Sequence, residues 1–426
     1  MTSGIRAVLR HRVTHNVVSL YGIQIGGYIV PLVTVPYLAR VLGVAGWGAV
    51  AFAQAYATYL TLLIEFGFNL SATREVARHQ ESAEHLADLL SGVLGAKLVL
   101  AVVGIAPVVA VARFIPIFTN SRHLLLGAVL CGVAAASSMS WLYQGLEQMR
   151  VVAAFDLSAR ICGMLAIFCL VHSVSDAPRV LYINATASGV VGAVLLIRAY
   201  GRVRFHLPTA AGTWQVLRAG WTMFILRCSM TLYTSGNAFV LGLFASPEAV
   251  GYYAGAERIS KALIGLLQPL SQALYPRMAN LVYRERAKAV KFARIGLIAM
   301  GGSGLVMCFA LLATAPQLIR CFLGTGFQPA VAVLRILSLL PPCIALSNVL
   351  GVQWMLPLGM DHSVNRIIIA SGLLNLSLAL ILAPRYGSTG MAWAVVTAEL
   401  VVTASMYVTL RRRHLDPIFG VLATEQ

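Results

Sequence analysis

The sequence predicts an all-α integral membrane protein with about twelve transmembrane helices. Of its 426 residues, 59% are hydrophobic and only 11% are charged, whereas a soluble domain carries about 25% charged residues. Apolar runs of about 20 residues, the length needed to cross a bilayer, recur along the whole chain with short polar segments between them. Since a soluble fold could not bury this much apolar surface, most of the chain is expected to lie in the membrane.

Twelve apolar segments follow one another along the chain. Five prolines are expected to bend or break three of these helices, the first, the eighth and the tenth, because proline removes a backbone donor; they are Pro31, Pro36, Pro269, Pro341 and Pro342. The predicted spans are 13–38, 45–69, 91–111, 122–144, 152–171, 180–198, 217–243, 248–275, 293–313, 330–356, 366–383 and 389–410.

The distribution of basic residues predicts the orientation. With the N-terminus in the cytoplasm, 20 Lys and Arg residues fall in the inside segments and 6 in the outside segments. This excess follows the positive-inside rule and places both termini in the cytoplasm of a bacterial inner membrane protein. The net charge of +17 is therefore explained by topology. Nucleic-acid binding is not expected, since no segment forms a DNA- or RNA-binding module.

The polar segments are too short for a catalytic domain. The longest, roughly 70–90, 199–216 and 277–292, contain no Walker A loop, HExxH or GxSxG motif. The seven cysteines lack CxxC spacing and are expected to be packing residues. The sequence therefore favours a transporter over an enzyme, and no metal or organic cofactor is expected.

An internal repeat relates the two halves of the chain. A shift of 203 positions superposes polar residues of the first two spans on polar residues of the seventh and eighth: Gln24 on Arg227, Gln54 on Glu257, Thr58 on Lys261, Glu65 on Gln268 and Asn69 on Gln272. Because the shift spans six helices, the halves would form a parallel repeat. The predicted domains are two six-helix lobes at 1–200 and 217–413, a linker at 201–216 and a tail at 414–426.

The second helix of each half carries a polar stripe. In the first half, residues 54, 58, 65 and 69 share one helix face, and in the second half residues 257, 261, 268 and 272 do the same. The stripes could line a central cavity or could be hydrogen-bonding contacts between helices. Glu257 and Lys261 could form an ion pair, whereas Arg227 and Arg258 have no local partner. The positive balance favours an anionic ligand.

Two sets of candidate residues follow. The substrate-binding candidates are Arg227, Arg258, Lys261, Lys97, Gln24, Gln54, Gln268, Gln272 and Asn69. The acids within the spans are candidates for coupling transport to H⁺ or Na⁺, namely Glu65, Glu257 and Glu399.

Four stretches are specific enough to suggest a family: Pro31–Gly43, Gly48–Gln54, Glu65–Glu75 and Val250–Lys261 with the nearby Gln268-Pro269 and Tyr275-Pro276. They resemble the two halves of Wzx-type O-antigen and exopolysaccharide flippases, which belong to the polysaccharide transporter family of the MOP exporter superfamily. The resemblance implies two six-helix lobes around a central cavity. It also implies transport of undecaprenyl-pyrophosphate-linked oligosaccharide from the cytoplasmic to the periplasmic face.

The resemblance also bears on partners and alternatives. Membrane lipids are expected partners, and the polysaccharide polymerase and chain-length regulator of the same pathway are candidates. A cation-coupled multidrug exporter of the same fold is the main alternative, although its cavity usually depends on acids. A membrane-embedded glycan polymerase or ligase is the enzyme alternative, but it would be expected to have a large periplasmic loop.

Overall fold

The predicted all-α membrane fold is confirmed. The structure, a computed structural model, describes residues 2–234 and 236–418, and these form helices and short connections without a β-strand. Eight helical stretches within the described residues are long and apolar enough to cross a membrane. Many large apolar side chains are exposed on them, as expected of a lipid-facing surface; Ile298, for example, is 76% exposed.

The chain divides into two compact units, Met1–Cys228 and Ser229–Gln426. This division falls inside one helix, whereas the sequence predicts that the two lobes divide at the 201–216 linker. The predicted bounds of the lobes stay a prediction. The helices of the first unit, with the helix in which the division falls, are α1 (Thr2–Glu65), α2 (Phe68–Arg78), α3 (Ala83–Ala112), α4 (Pro116–Thr119), α5 (Arg122–Ala136), α6 (Ser140–Gly145), α7 (Met149–Leu170), α8 (Ala177–Tyr200) and α9 (Ala210–Thr234).

The second unit has a similar element order with a more irregular centre. Its helices are α10 (Asn237–Phe244), α11 (Pro247–Ile264), α12 (Leu267–Arg284), α13 (Arg286–Phe322), α14 (Ala330–Leu337), α15 (Leu340–Ser347) and α16 (Asp361–Arg412), with a π-helix at Asn348–Met355. The starts of α3 and α13, at Ala83 and Arg286, differ by the 203 positions of the sequence repeat.

Two of the long helices each contain two predicted spans. α1 has a non-helical residue at Gly43, with φ of 67°, and α16 has one at Gly387, with φ of 56°. Glycine adopts this left-handed conformation without steric cost. The helices α9 to α12 lie outside the eight apolar stretches because each is short or interrupted by polar residues. Counted by segments, the helices correspond to the twelve predicted spans.

Several spans are broken within their length. α1 and α2 are separated at Phe66 and Gly67, which have φ of 45° and 77°, and α5 and α6 are separated at 137–139. In the second unit the chain breaks at 265–266, close to Pro269, where the sequence predicts a bend or break. It breaks again before α15, whose first turn contains Pro341 and Pro342. Such breaks release backbone groups that need new partners inside the membrane.

Candidate functional site

The break between α1 and α2 positions an acid within the first unit. Glu65 is the last residue of α1, and its side chain is buried, with 8% of the residue exposed. The break packs closely on α9, because a Cβ atom on Gly67 would lie 2.8 Å from the backbone carbon of Met223. Phe66 stacks on Phe224 with ring centroids 4.4 Å apart. This packing holds the α1 terminus against the helix that carries Arg227.

Glu65 is held by two side chains at this break. Asn69 Nδ2 donates a hydrogen bond to Glu65 Oε2 at 3.0 Å, and Arg227 Nη2 lies 3.5 Å from the same oxygen. Asn69 lies in the first turn of α2, directly after the break, whereas Arg227 lies on α9. A buried carboxylate requires such partners because desolvation strongly disfavours an isolated charge.

The side chain of Lys97 hydrogen-bonds to the backbone at the break between α5 and α6. It is only 6% exposed, and its Nζ donates hydrogen bonds to the carbonyl oxygens of Ala136 at 2.7 Å and Ser138 at 2.9 Å. These carbonyls lie at the C-terminal end of α5, where the helix dipole favours a cation. Lys97 also interacts electrostatically with Glu65. The lysine therefore satisfies freed backbone groups and contributes charge to the site.

Together, Glu65, Asn69, Lys97 and Arg227 form one polar group, here called the Glu65 cluster. It contains two cations and one anion, so its formal charge is positive. Lys97 is enclosed, but the Arg227 side chain is 38% exposed. Its guanidinium has five donors in a planar fork, so the long contact with Glu65 leaves donors available to an anion. Among the predicted binding residues, the structure brings Asn69, Lys97 and Arg227 together with Glu65.

The second unit contains a separate ion pair on α11. Lys261 Nζ lies 3.0 Å from Glu257 Oε1, as the four-residue spacing predicts, and the Lys261 side chain is 50% exposed. Tyr253, one turn earlier, donates from Oη to Glu257 Oε1 at 3.3 Å. Arg258 is exposed on the same helix, three residues before Lys261. α11 thus carries two accessible cations and one half-buried acid, again with a positive balance.

The other predicted residues lie at different positions. Gln268 and Gln272 are exposed on α12, whereas Gln54 is half-buried in α1. Gln24 lies outside the residues whose side chains the structure describes. Glu399 is buried in α16 and accepts a hydrogen bond from Ser347 Oγ at 2.9 Å.

Sequence reasoning missed a buried amide pair in the second unit. Asn375 Nδ2 donates to Asn237 Oδ1 at 2.9 Å, joining α16 to α10, and Asn375 Oδ1 is buried without a hydrogen bond within the described part of the chain. Ser271 also donates to Asn348 at the start of the π-helix, at 2.6 Å. The signal in the sequence was the presence of single amide side chains within apolar spans. Which amides hydrogen-bond to each other depends on the tertiary structure.

These features define a multi-pass helical membrane protein with ionised groups at broken helices, an arrangement typical of secondary transporters. Residues 13–282 match the family described as "Polysaccharide biosynthesis protein". The chain belongs to this family.

Two curated relatives extend over nearly the whole chain. A protein of Escherichia coli (strain K12) named "Putative O-antigen transporter" is 31% identical over 405 residues, which cover 94% of this chain and 97% of the relative. A protein of Shigella dysenteriae with the same name is 28% identical over 398 residues, covering 92% of this chain and 98% of the relative.

Solved structures share the fold at low sequence identity. The lipid II flippase MurJ in an inward closed conformation matches with a TM-score of 0.73 and 13% identity, covering 93% of this chain and 87% of MurJ. An inward-facing multidrug resistance MATE family transporter of the MOP superfamily matches with a TM-score of 0.65 and 15% identity, covering 91% and 98%. The predicted MOP-type fold is confirmed.

Proposed function

We propose that this protein is a flippase that moves an undecaprenyl-pyrophosphate-linked oligosaccharide from the cytoplasmic to the periplasmic face of the bacterial inner membrane. The product would supply the synthesis of O-antigen, capsule or exopolysaccharide. The family match and the O-antigen transporter relatives over more than nine tenths of the chain support this class of cargo. The observation that carries the proposal is an accessible cation beside an acid in each of the two units, Arg227 on α9 and Lys261 on α11.

The charges suit a pyrophosphate group. Moving an anion into the membrane interior removes its hydration, which is costly unless fixed cations compensate. Arg227 and Lys261 each contact a carboxylate and remain 38% and 50% exposed. Each cation is therefore oriented by its own carboxylate and keeps exposed donor groups that an anion can contact. Arginine also matches phosphate oxygens in a bidentate geometry.

Ion coupling is proposed at the Glu65 cluster. A proton or Na⁺ on Glu65 would neutralise the carboxylate that faces Arg227 at 3.5 Å and would free the guanidinium for the pyrophosphate. When the ion leaves, the carboxylate competes with the substrate for the same arginine. The carboxylate of Glu257, 3.0 Å from Lys261 Nζ, would compete with the substrate for that lysine in the same way. Glu399 instead accepts a hydrogen bond from a serine hydroxyl.

The orientation and partners complete the proposal. The excess of basic residues in one set of loops supports cytoplasmic termini, and membrane lipids surround the exposed apolar helices. The polysaccharide polymerase and the chain-length regulator of the same pathway are proposed partners. A multidrug exporter is less well supported, because cations outnumber acids in both charged groups and would repel a cationic drug.

The test is deletion of the gene in its host. We expect loss of the surface polysaccharide and accumulation of undecaprenyl-linked oligosaccharide in the inner membrane, measured by mass spectrometry of lipid extracts, with both restored by the gene on a plasmid. An unchanged polysaccharide together with increased sensitivity to cationic drugs would instead support the multidrug alternative.

A further inference from the structure

A histidine-containing cluster lies at the connection between α2 and α3, outside the groups described above. Glu75 and His79 are one turn apart at the end of α2, and His85 lies in the first turns of α3. Both histidine rings face the same carboxylate oxygen: His79 Nδ1 lies 3.2 Å and His85 Nε2 lies 3.3 Å from Glu75 Oε1. The two rings are 4.2 Å apart.

The spacing of these atoms matches the coordination of zinc. Zn²⁺ binds histidine nitrogen and carboxylate oxygen at about 2.0–2.1 Å in a tetrahedron, so two of its ligand atoms are separated by about 3.3–3.4 Å. The two measured separations to Glu75 Oε1 are 3.2 and 3.3 Å. All three ligand atoms lie within 4.8 Å of one another. Small side-chain rotations would therefore place one ion at bonding distance from all three.

Ion pairing of both histidines with one carboxylate has an electrostatic cost. If both histidines were protonated, two positive rings would lie 4.2 Å apart and repel each other. A neutral histidine has one N–H and one lone pair, and a metal requires the lone pair at the ligand nitrogen. At His79, zinc would replace the present 3.2 Å contact of Nδ1 with the backbone carbonyl oxygen of Glu75. His85 Nε2 is buried and makes no hydrogen bond within the described residues. Its neighbour at 3.3 Å is Glu75 Oε1, a carboxylate oxygen that would bind the same ion.

We propose that Glu75, His79 and His85 form a binding site for Zn²⁺ that clamps α2 to α3. Three protein ligands leave a fourth position for water, since Asp88, one turn after His85, is held by His206 Nδ1 at 2.7 Å. At 1.5 Å per residue, Glu75 lies about 9 Å along α2 from Asn69, and His85 lies about 18 Å along α3 from Lys97. Bound zinc would thus fix the relative position of two helices that supply the Glu65 cluster.

The test uses the purified full-length protein without a histidine tag, in detergent. We expect one equivalent of Zn²⁺ by metal analysis after desalting, and a zinc-dependent rise in Tm, because a ligand that binds only the folded state stabilises it. His79→Ala and His85→Ala should each lower zinc affinity by about 100-fold or more, since changes outside the ligand shell already cost 10–100-fold. The matched control is His362→Ala, an exposed histidine on α16.

Co²⁺ provides a readout that does not depend on stability. In the wild-type protein it should give the visible absorption bands of a low-coordinate site with nitrogen ligands, and Glu75→Gln should shift or abolish them. Absence of stoichiometric zinc, or equal binding by the His79→Ala/His85→Ala double variant and the wild type, would overturn the proposal. If a variant fails to fold, His85→Asn, which keeps a polar side chain, replaces it.

Discussion

Arg227 on α9 and Glu65 at the end of α1 face each other at 3.5 Å, although 162 residues separate them in the sequence. The contact joins the predicted seventh span, 217–243, to a break within the predicted second span, 45–69. The relationship is consequential because Glu65 also binds Asn69 and interacts with Lys97. Removing Arg227 therefore leaves the buried acid with other partners, so function can be tested separately from folding.

Arg227→Gln should reach the membrane at near-normal abundance but fail to restore the surface polysaccharide in a deletion strain. The glutamine can still hydrogen-bond Glu65, whereas the cation that compensates for pyrophosphate desolvation is lost. Arg227→Lys should retain partial activity, because the charge persists while the bidentate geometry is lost. The measurement is immunoblotting of membranes together with quantification of surface polysaccharide.

The control for this series is Arg411→Gln, an exposed residue at the end of α16, which should remain active. Lys261→Gln should behave like Arg227→Gln, because Lys261 is the corresponding accessible cation beside Glu257. Normal export by the Arg227→Gln/Lys261→Gln double variant would rule out the cationic mechanism and leave the fold assignment intact.

Lys97→Met should lower stability as well as transport. The lysine ammonium donates to the carbonyls of Ala136 and Ser138, and a buried group left without its partner costs about 1–3 kcal/mol. We expect a reduced Tm in detergent and lower abundance in the membrane. Lys288→Met is the matched control, since Lys288 is exposed and paired with Glu285 at the surface; it should have little effect. An equal loss in both variants would exclude a special role for the α5–α6 break.

Hydropathy was sufficient to predict the helices but not their breaks. The twelve apolar segments correspond to helical segments because the length of each run is set by the bilayer. Some breaks lie beside prolines, which are visible in the sequence; the break before α15, next to Pro341 and Pro342, is an example. In α1, however, the non-helical residue is Gly43 rather than Pro31 or Pro36. Glycine adopts φ above 0° about as readily as φ below 0°, and the chain has many glycines, so the sequence alone does not identify the one at which the helix is interrupted.

The sequence was sufficient to predict which polar residues form the candidate site, but not which of them contact each other. The polar positions of the spans, including Glu65, Asn69 and Arg227, stand out because polar groups are rare in membrane helices. The four-residue spacing of Glu257 and Lys261 predicted their ion pair. Arg227 appeared to lack a local partner, since its partner is on another helix. Lys97 could not be assigned to the α5–α6 break, because that break is not evident in the sequence.

Reporter fusions test the proposed orientation. Fusions after Gln80, Ala210 and Lys288 should report the cytoplasm, because each follows an even number of predicted spans. Fusions after Asn120, Ser246 and Ser388 should report the periplasm. The alkaline phosphatase and green fluorescent protein pair gives opposite signals on the two sides and serves as an internal control. A consistent inversion, or a C-terminus on the outside, would contradict the two-lobe arrangement.

Gly67→Ala tests whether the break after Glu65 requires a glycine. Gly67 has φ of 77°, and an added Cβ would lie 2.8 Å from the backbone and Cβ atoms of Met223 on α9. Both the left-handed backbone and the close approach disfavour a side chain, each at a cost of about 1–3 kcal/mol. We expect a lower Tm together with reduced export, because a shift of α9 would move Arg227 away from Glu65.

Gly302→Ala provides the matched control on α13. No heavy atom lies within 4 Å of the position that its Cβ would take, and the residue lies within a regular helix. Alanine is favoured over glycine in a helix interior by about 1 kcal/mol, so this variant should be as stable as the wild type or slightly more stable. If Gly67→Ala were also neutral in Tm and export, the close contact between the break and α9 would not be needed to hold Arg227 at Glu65.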